Sequence, residues 1–188
     1  MKFGFWHPVV FCLAAAGAVA GMVAGTVAGA DAAFAQAAER VAAHTDWSVF
    51  VANTPKECYI VSPPTKSAAT RDGKPTEVTR GDIRLFVAFR PGENVSNEVS
   101  FTGGYPFKPA SAVTLDVGGS KFNLGPGQGD AGEWAWTDPS DDSKAVGAMK
   151  RGATAKLTGT SSRGTETEDT FSLSGFTAAV EDAASRCR

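Results

Sequence analysis

Short stretches in which hydrophobic and polar residues alternate dominate the chain from residue 47 onward. In the clearest of them, residues 83–90, Ile83, Leu85, Val87 and Phe89 share one face. A period of two residues predicts a strand with one buried face. Comparable stretches are 47–52, 57–61, 98–102, 112–117, 121–124, 133–137, 153–160 and 170–174. The chain is therefore predicted to consist mainly of short strands.

Turn-forming residues predict how these strands connect. Residues 53–56 separate the first two strands, and Gly118-Gly119 separates two later ones, so both pairs are expected to form hairpins or tight connections. Residues 62–81 contain three prolines and mixed charge, which predicts a long surface excursion.

Helix signals occur at two places. Residues 138–152 begin with Asp-Pro-Ser-Asp-Asp and end with Lys-Arg-Gly, which predicts a short helix near 140–151. From Phe176 onward, Phe176, Val180, Ala183 and Cys187 recur every three or four residues, which predicts a C-terminal helix near 176–187. Many strands, two helices and no alternating βαβ rhythm predict a mainly β fold, an antiparallel β-sandwich or open barrel.

The first 35 residues are typical of a secretory signal peptide. Lys2 precedes an apolar run at residues 8–30, and Ala33 and Ala35 supply the small residues before a cleavage site. The alternative is a retained membrane anchor, because about 20 apolar residues span a bilayer. We therefore predict a signal peptide (1–35) cleaved after Ala35, a flexible lead with a frayed helical turn (36–46) and a single β-rich domain (47–188). The mature protein is expected in the periplasm or on the outer surface.

Cleavage would remove Cys12 and leave two cysteines, Cys58 and Cys187. Disulfides persist in export compartments, so we expect these two residues to pair, the alternative being two separately buried thiols. One cysteine pair and His44 cannot furnish a zinc site by cysteine and histidine alone. The sequence predicts no metal and no cofactor.

The charge balance and the absence of catalytic motifs limit the classes of function that the sequence supports. The chain has 18 Lys and Arg against 20 Asp and Glu, which argues against a nucleic-acid binder because no basic excess is present to neutralise phosphates. No strong catalytic constellation is present, since His44 lies in the loose lead, a poor place for a general base. The hydrolase alternative depends on two acidic pairs, Glu166 with Glu168 and Glu133 with Asp130. A glycosidase would hold such a pair about 5–9.5 Å apart in one cleft.

Three further patterns have two interpretations each. Asp138, Asp141 and Asp142 are expected to cap a helix and not to bind calcium. Arg80-Gly81-Asp82 is expected to be a turn beside a strand and not an adhesive tripeptide. The tryptophans at 134 and 136 point to the same side of a strand. We predict that they pack in the core, the alternative being an exposed face that stacks on sugars or anchors a protein partner.

The order of these features resembles the invasion-associated locus B family of exported bacterial proteins. The resemblance is carried by residues 47–50, 57–66, 80–83, 97–101, 104–108, 149–152 and 170–179, which span almost the whole mature chain. It implies an exported, mostly β protein of the cell envelope or periplasm, in a family named after host-cell invasion in pathogens. It supplies no catalytic residues.

We therefore expect a non-enzymatic envelope protein that binds an unidentified protein or envelope polymer, through its sheet face or through residues 62–81. Membrane contact is expected only through the signal segment. The alternatives are an envelope hydrolase that uses an acidic pair and a structural protein that assembles with itself.

Overall fold

The computed structural model of the chain describes residues 37–188. The predicted signal peptide and its cleavage after Ala35 lie outside the described residues. Within the described range the chain forms twelve strands and two α-helices. The strands are β1 (Glu39–His44), β2 (Trp47–Asn53), β3 (Lys56–Ser62), β4 (Lys66–Arg71), β5 (Lys74–Pro75), β6 (Arg84–Arg90), β7 (Val95–Thr102), β8 (Val113–Val117), β9 (Ser120–Pro126), β10 (Trp134–Thr137), β11 (Thr154–Thr160) and β12 (Glu166–Ser172). The helices are α1 (Pro139–Arg151) and α2 (Phe176–Arg186).

All twelve strands belong to one antiparallel sheet. Its order is β1-β2-β3-β6-β7-β10-β9-β8-β11-β12-β4-β5, and the sheet does not close into a barrel. The predicted fold, mainly β and antiparallel with two helices, is confirmed. The two hairpins predicted at residues 53–56 and at Gly118-Gly119 are also present, between β2 and β3 and between β8 and β9.

The sheet folds over on itself, so its distant strands face one another. Phe101 of β7 packs edge-on against Phe171 of β12, with ring centroids 6.1 Å apart. Trp47 of β2 donates its indole N–H to the carbonyl of Ser172 at 3.0 Å. These strands are not neighbours in the sheet order, so their inward side chains enclose a shared hydrophobic core.

Both helices lie where the sequence predicts them. Asp138 caps α1 by accepting a hydrogen bond from the backbone N–H of Ser140 at 2.9 Å. Hydrogen bonding to the side chain of Ser140, and next to its backbone N–H, lowers the pKa of the Asp138 carboxyl. Asp142 is buried, where its carboxylate accepts hydrogen bonds from the N–H of Val99 and the hydroxyl of Thr137.

No group of three His, Cys, Asp or Glu residues between 37 and 188 is arranged to hold a metal ion.

The interpretation of residues 36–46 as a lead with a helical turn is wrong. Residues 39–44 form β1, which pairs antiparallel with β2. The alanines of this segment have a high helix propensity, but the open edge of β2 offers backbone partners and overrides that local preference. Thr45, with a φ of 52°, makes the tight turn between the two strands.

The interpretation of residues 62–81 as a surface excursion is also wrong in part. Strand β4 lies in this segment and pairs with β12 from Lys66 to Thr70. Strand β5 returns beside β4 after a turn at Asp72-Gly73, whose φ angles are 51° and 72°. An Asp-Gly pair favours this kind of two-residue hairpin turn, so the signal is present in the sequence.

The two helices between residues 37 and 188 are too short or too polar to cross a membrane.

Candidate functional site

Five aromatic side chains form a continuous row on the outer face of the sheet, which we call the aromatic strip. They are Phe50, Tyr59, Phe86, Trp134 and Trp136. All five are half-buried, so part of each ring faces solvent. The distances between neighbouring ring centroids are 5.1 Å for Phe50–Tyr59, 6.0 Å for Tyr59–Phe86, 5.3 Å for Phe86–Trp134 and 6.2 Å for Trp134–Trp136. The strip thus crosses the sheet from β2 to β10.

The register of the strands explains why the strip is continuous. Phe50 lies opposite Tyr59 in the β2–β3 pair. Strand β7 lies between β6 and β10, and it places Ser100 opposite both Phe86 and Trp136. Across β7, the ring of Phe86 on β6 contacts the ring of Trp134 on β10, with centroids 5.3 Å apart. Neighbouring strands are about 4.8 Å apart, which brings rings on successive strands within contact distance.

The prediction that Trp134 and Trp136 pack in the core is wrong. Ala135 is fully buried, and Thr137 points inward, where its hydroxyl oxygen lies 3.2 Å from the carbonyl oxygen of Val99. The two tryptophans therefore occupy the outward positions. A two-residue period shows which side chains share a side, but it does not show which side is buried.

A cavity of about 550 Å³ opens along the strip, and we call it the aromatic cavity. Four residues of the strip line it: Tyr59, Phe86, Trp134 and Trp136. Its polar lining includes three carboxylates, Glu57, Glu98 and Asp130, and one guanidinium, Arg90. Burial, and next the charge of Glu57, raises the pKa of the Tyr59 hydroxyl above its usual value.

Arg90 is held in place by carboxylates on three sides. Its guanidinium lies 2.9 Å from Glu98, 3.0 Å from Glu93 and 3.5 Å from Glu57. The hydrogen bond to Glu98 is the main reason that the pKa of Arg90 is raised above its usual range. These contacts fix the position of the guanidinium. Three carboxylates surround this one cation, so the cluster carries a net negative charge.

A second cavity of about 540 Å³ lies around Arg71, Arg80 and Tyr105. Arg80 donates to both carboxylate oxygens of Asp169, at 2.8 and 2.6 Å, and to the carbonyl of Gly103 at 2.9 Å. Its guanidinium also lies 5.1 Å from the centroid of the Tyr105 ring. Burial raises the pKa of the Tyr105 hydroxyl above its usual value. The side chain of Arg80 is only 8% exposed, so it is not available as part of an adhesive Arg-Gly-Asp tripeptide.

The structure does not bring the predicted acidic pairs together in one cavity. Glu133 lines the second cavity, whereas Asp130 lines the aromatic cavity. Glu166 and Glu168 lie exposed on β12, and Glu168 forms an ion pair with Lys156 at 3.0 Å.

The predicted disulfide is confirmed, and it lies directly behind the strip. Cys58 is buried on β3 and is bonded to Cys187 at the C-terminal end of α2, with a Cα–Cα distance of 5.8 Å. His44 lies 3.1 Å from Asp182 of the same helix. The bridge fixes the strand that carries Tyr59, the next residue along the chain.

Comparison with known proteins identifies one family. The family model described as "Invasion associated locus B (IalB) protein" matches residues 52–184. The matched range includes four of the five strip residues and Cys58. Comparisons with curated proteins and with solved structures give no match.

Proposed function

This chain belongs to the invasion associated locus B family, and from that premise we propose that it is a non-enzymatic binding protein of the bacterial cell envelope. In this proposal, a protein or polymer partner binds on the aromatic strip. The observation that carries the proposal is the strip itself, five aromatic rings in contact on the outer face of a well-formed sheet.

The position of the strip is unusual for a structural element. The outer face of an antiparallel sheet is ordinarily polar, because it meets water. Rings left half-exposed there lose the stabilisation of about 25 cal/mol per Å² that full burial of their apolar surface would give. A partner that covers the strip recovers this free energy, and tryptophan and tyrosine are among the residues that contribute most to binding interfaces.

The arrangement of the carboxylates supports binding rather than hydrolysis. Glu57 and Glu98 share the aromatic cavity, but both lie against Arg90. A general acid or base needs a carboxyl group that can reach the substrate. The acidic pairs that would favour a hydrolase, Glu133 with Asp130 and Glu166 with Glu168, do not share a cleft around the strip.

An envelope location is supported by three features. The family is one of exported proteins by the resemblance described above, the first 35 residues are typical of a signal peptide, and the domain contains a disulfide. Structural disulfides persist in oxidising compartments such as the periplasm and are rare in the cytosol.

A capture experiment from native envelopes tests the proposal. The mature domain is compared with the double variant Trp134→Ala/Trp136→Ala and with Val78→Ala. Val78 is a matched control, because it is a large exposed hydrophobic side chain that lines the second cavity. We expect the double variant to retain less than about a tenth of the captured material, since loss of two central aromatic anchors costs more than about 1.4 kcal/mol.

The control variant is expected to bind like the wild type. Melting curves of all three proteins show whether the fold is intact. Equal capture by the wild type and a folded double variant would contradict the proposal.

A further inference from the structure

We infer that the aromatic strip binds a basic peptide segment, an extended stretch of a partner protein that carries arginine or lysine side chains. The inference rests on the proposed function, because it names the class of partner for the same surface. Three observations carry it: the excess of carboxylates in the aromatic cavity, the half-buried aromatic rings that line the same cavity and the spacing of the rings.

The charges in the aromatic cavity do not balance. Three carboxylates line it, those of Glu57, Glu98 and Asp130, against the single guanidinium of Arg90. Glu93 approaches Arg90 from outside the cavity and adds a fourth carboxylate. The whole chain carries a formal charge of only −2, so this negative excess is a local feature. Such a site attracts a ligand that brings a positive charge and repels phosphates and carboxylates.

The ring faces attract the same kind of ligand. A cation within about 6 Å of a ring centroid is attracted by the negative face of the aromatic system, and tryptophan is the strongest partner. The protein already uses this contact internally, where Arg80 lies 5.1 Å from the centroid of Tyr105. Trp134 and Trp136 are half-buried and line the same cavity as the carboxylates of Glu98 and Asp130, so the part of each ring that faces solvent is open to a cation.

The ring spacing suits an extended peptide. Neighbouring centroids along the strip are 5.1–6.2 Å apart. Side chains on one face of an extended chain recur about every 6.6 Å, twice the rise per residue. Basic residues at alternate positions can therefore each reach a different ring, with their aliphatic stems over the apolar surface. A neutral glycan would stack on the rings and could donate hydroxyl hydrogen bonds to the carboxylates, but it would bring no positive charge to balance them.

Three probes of stated composition test the inference: a capped hexapeptide that alternates arginine and serine, the same peptide with neutral citrulline in place of arginine, and an oligomer of N-acetylglucosamine. Binding to the mature domain is measured by calorimetry at low and high salt. We expect the arginine peptide to bind, the citrulline peptide to bind at least about fivefold more weakly, and salt to weaken only the former.

A pair of charge reversals locates the contact. Asp130→Lys changes an exposed residue in the lining of the aromatic cavity, whereas Glu166→Lys makes the same change of net charge on the distant strand β12. We expect Asp130→Lys to weaken the arginine peptide by about fivefold or more and Glu166→Lys to leave it within about twofold.

The outcomes separate this inference from the proposed function. Equal binding of the arginine and citrulline peptides, preferential binding of the glycan, equal effects of the two reversals or no binding of the arginine peptide would each overturn the inference. The proposed function would still stand in those cases if envelope capture depends on Trp134 and Trp136.

Discussion

At the scale of single residues, the ion pair between Arg80 and Asp169 joins the segment before β6 to β12, and these two strands are not neighbours in the sheet. Asp169 is fully buried on β12, and Arg80 reaches it from the segment that leads into β6. The guanidinium fits both carboxylate oxygens and one backbone carbonyl, which is the strongest geometry for an arginine ion pair. The pair thus fastens the entry to β6 against β12.

The loss of one charge from this pair is expected to be costly. Asp169→Asn leaves the Arg80 cation buried without its counter-charge, so we expect the free energy of unfolding to fall by about 3–5 kcal/mol. Urea denaturation measures this change. The matched control is Glu168→Gln, which removes the adjacent but exposed pair with Lys156 and should cost less than about 1 kcal/mol. Similar losses for the two variants would contradict the buried pair's role.

The sequence predicts some residue-level features and not others. Cys58 and Cys187 can be paired by counting, because they are the two cysteines that remain in the predicted mature domain. The aromatic strip is harder to predict, because alternation does not distinguish the inner from the outer side of a strand. In β10 the inner side is the one that carries the fully buried Ala135 and the inward Thr137. Tertiary contacts determine this choice. The pairing of Arg80 with Asp169 has no local signal.

At the scale of elements, strands that alternate clearly are predicted well. Strand β6 begins and ends within a residue of the prediction, because Leu85, Val87 and Phe89 require one buried face. Strands β1 and β4 are missed, since their sequences, Glu-Arg-Val-Ala-Ala-His and Lys-Ser-Ala-Ala-Thr-Arg, lack large apolar residues at alternate positions. Both form because a neighbouring strand offers free backbone partners. The presence of such a neighbour cannot be predicted from the local sequence.

Helix α2 is attached to the sheet by an apolar face and by the disulfide. Its buried residues are Phe176, Ala179, Val180 and Ala183. Removal of the bridge by Cys58→Ser/Cys187→Ser leaves only the noncovalent contacts of the helix, and we expect a loss of about 2–5 kcal/mol of stability, because the bridge closes a long loop in the unfolded chain. The melting temperature should fall by about 2–4 °C for each kcal/mol, as measured by calorimetry.

The wild type under reducing conditions is the control for this variant. It should melt near the temperature of the double serine variant. A variant that melts at the temperature of the oxidised wild type would show that the noncovalent contacts of α2 are sufficient to hold it.

At the scale of the whole molecule, the buried carboxyl of Asp142 links stability to pH. Burial raises its pKa, the charges of Glu98 and Asp138 add to the effect, and hydrogen bonds from Thr137 and Val99 oppose it. The folded protein therefore holds this proton more tightly than the unfolded chain, whose ordinary value is 3.8. This contribution to stability is complete below pH 3.8 and is lost as the pH rises through the folded-state pKa.

We expect the variant Asp142→Asn not to lose this contribution to stability as the pH rises. The amide oxygen keeps an acceptor for Val99 and Thr137 but does not ionise, so the stability of the variant relative to the wild type should increase as the pH rises above 3.8 and then level off. Chemical denaturation between pH 3 and 7 measures the difference.

Asp182→Asn is the control, because its stability relative to the wild type should change with pH in the opposite direction. Hydrogen bonds from Arg186 and then His44 lower the pKa of Asp182, so its contribution is present above the ordinary value and is lost as the pH falls. A relative stability of Asp142→Asn that stays constant or decreases with pH would contradict the assignment.

The bridge between Cys58 and Cys187 also determines what happens when the backbone is cut. It joins residues 129 positions apart, and every strand from β4 to β12 lies between them. A protease that nicks an exposed turn such as Gly118-Gly119 therefore produces two pieces that remain covalently linked. Because those pieces are also paired through the sheet, a single nick does not release either of them, and the surface with the five rings stays assembled as long as the surroundings are oxidising.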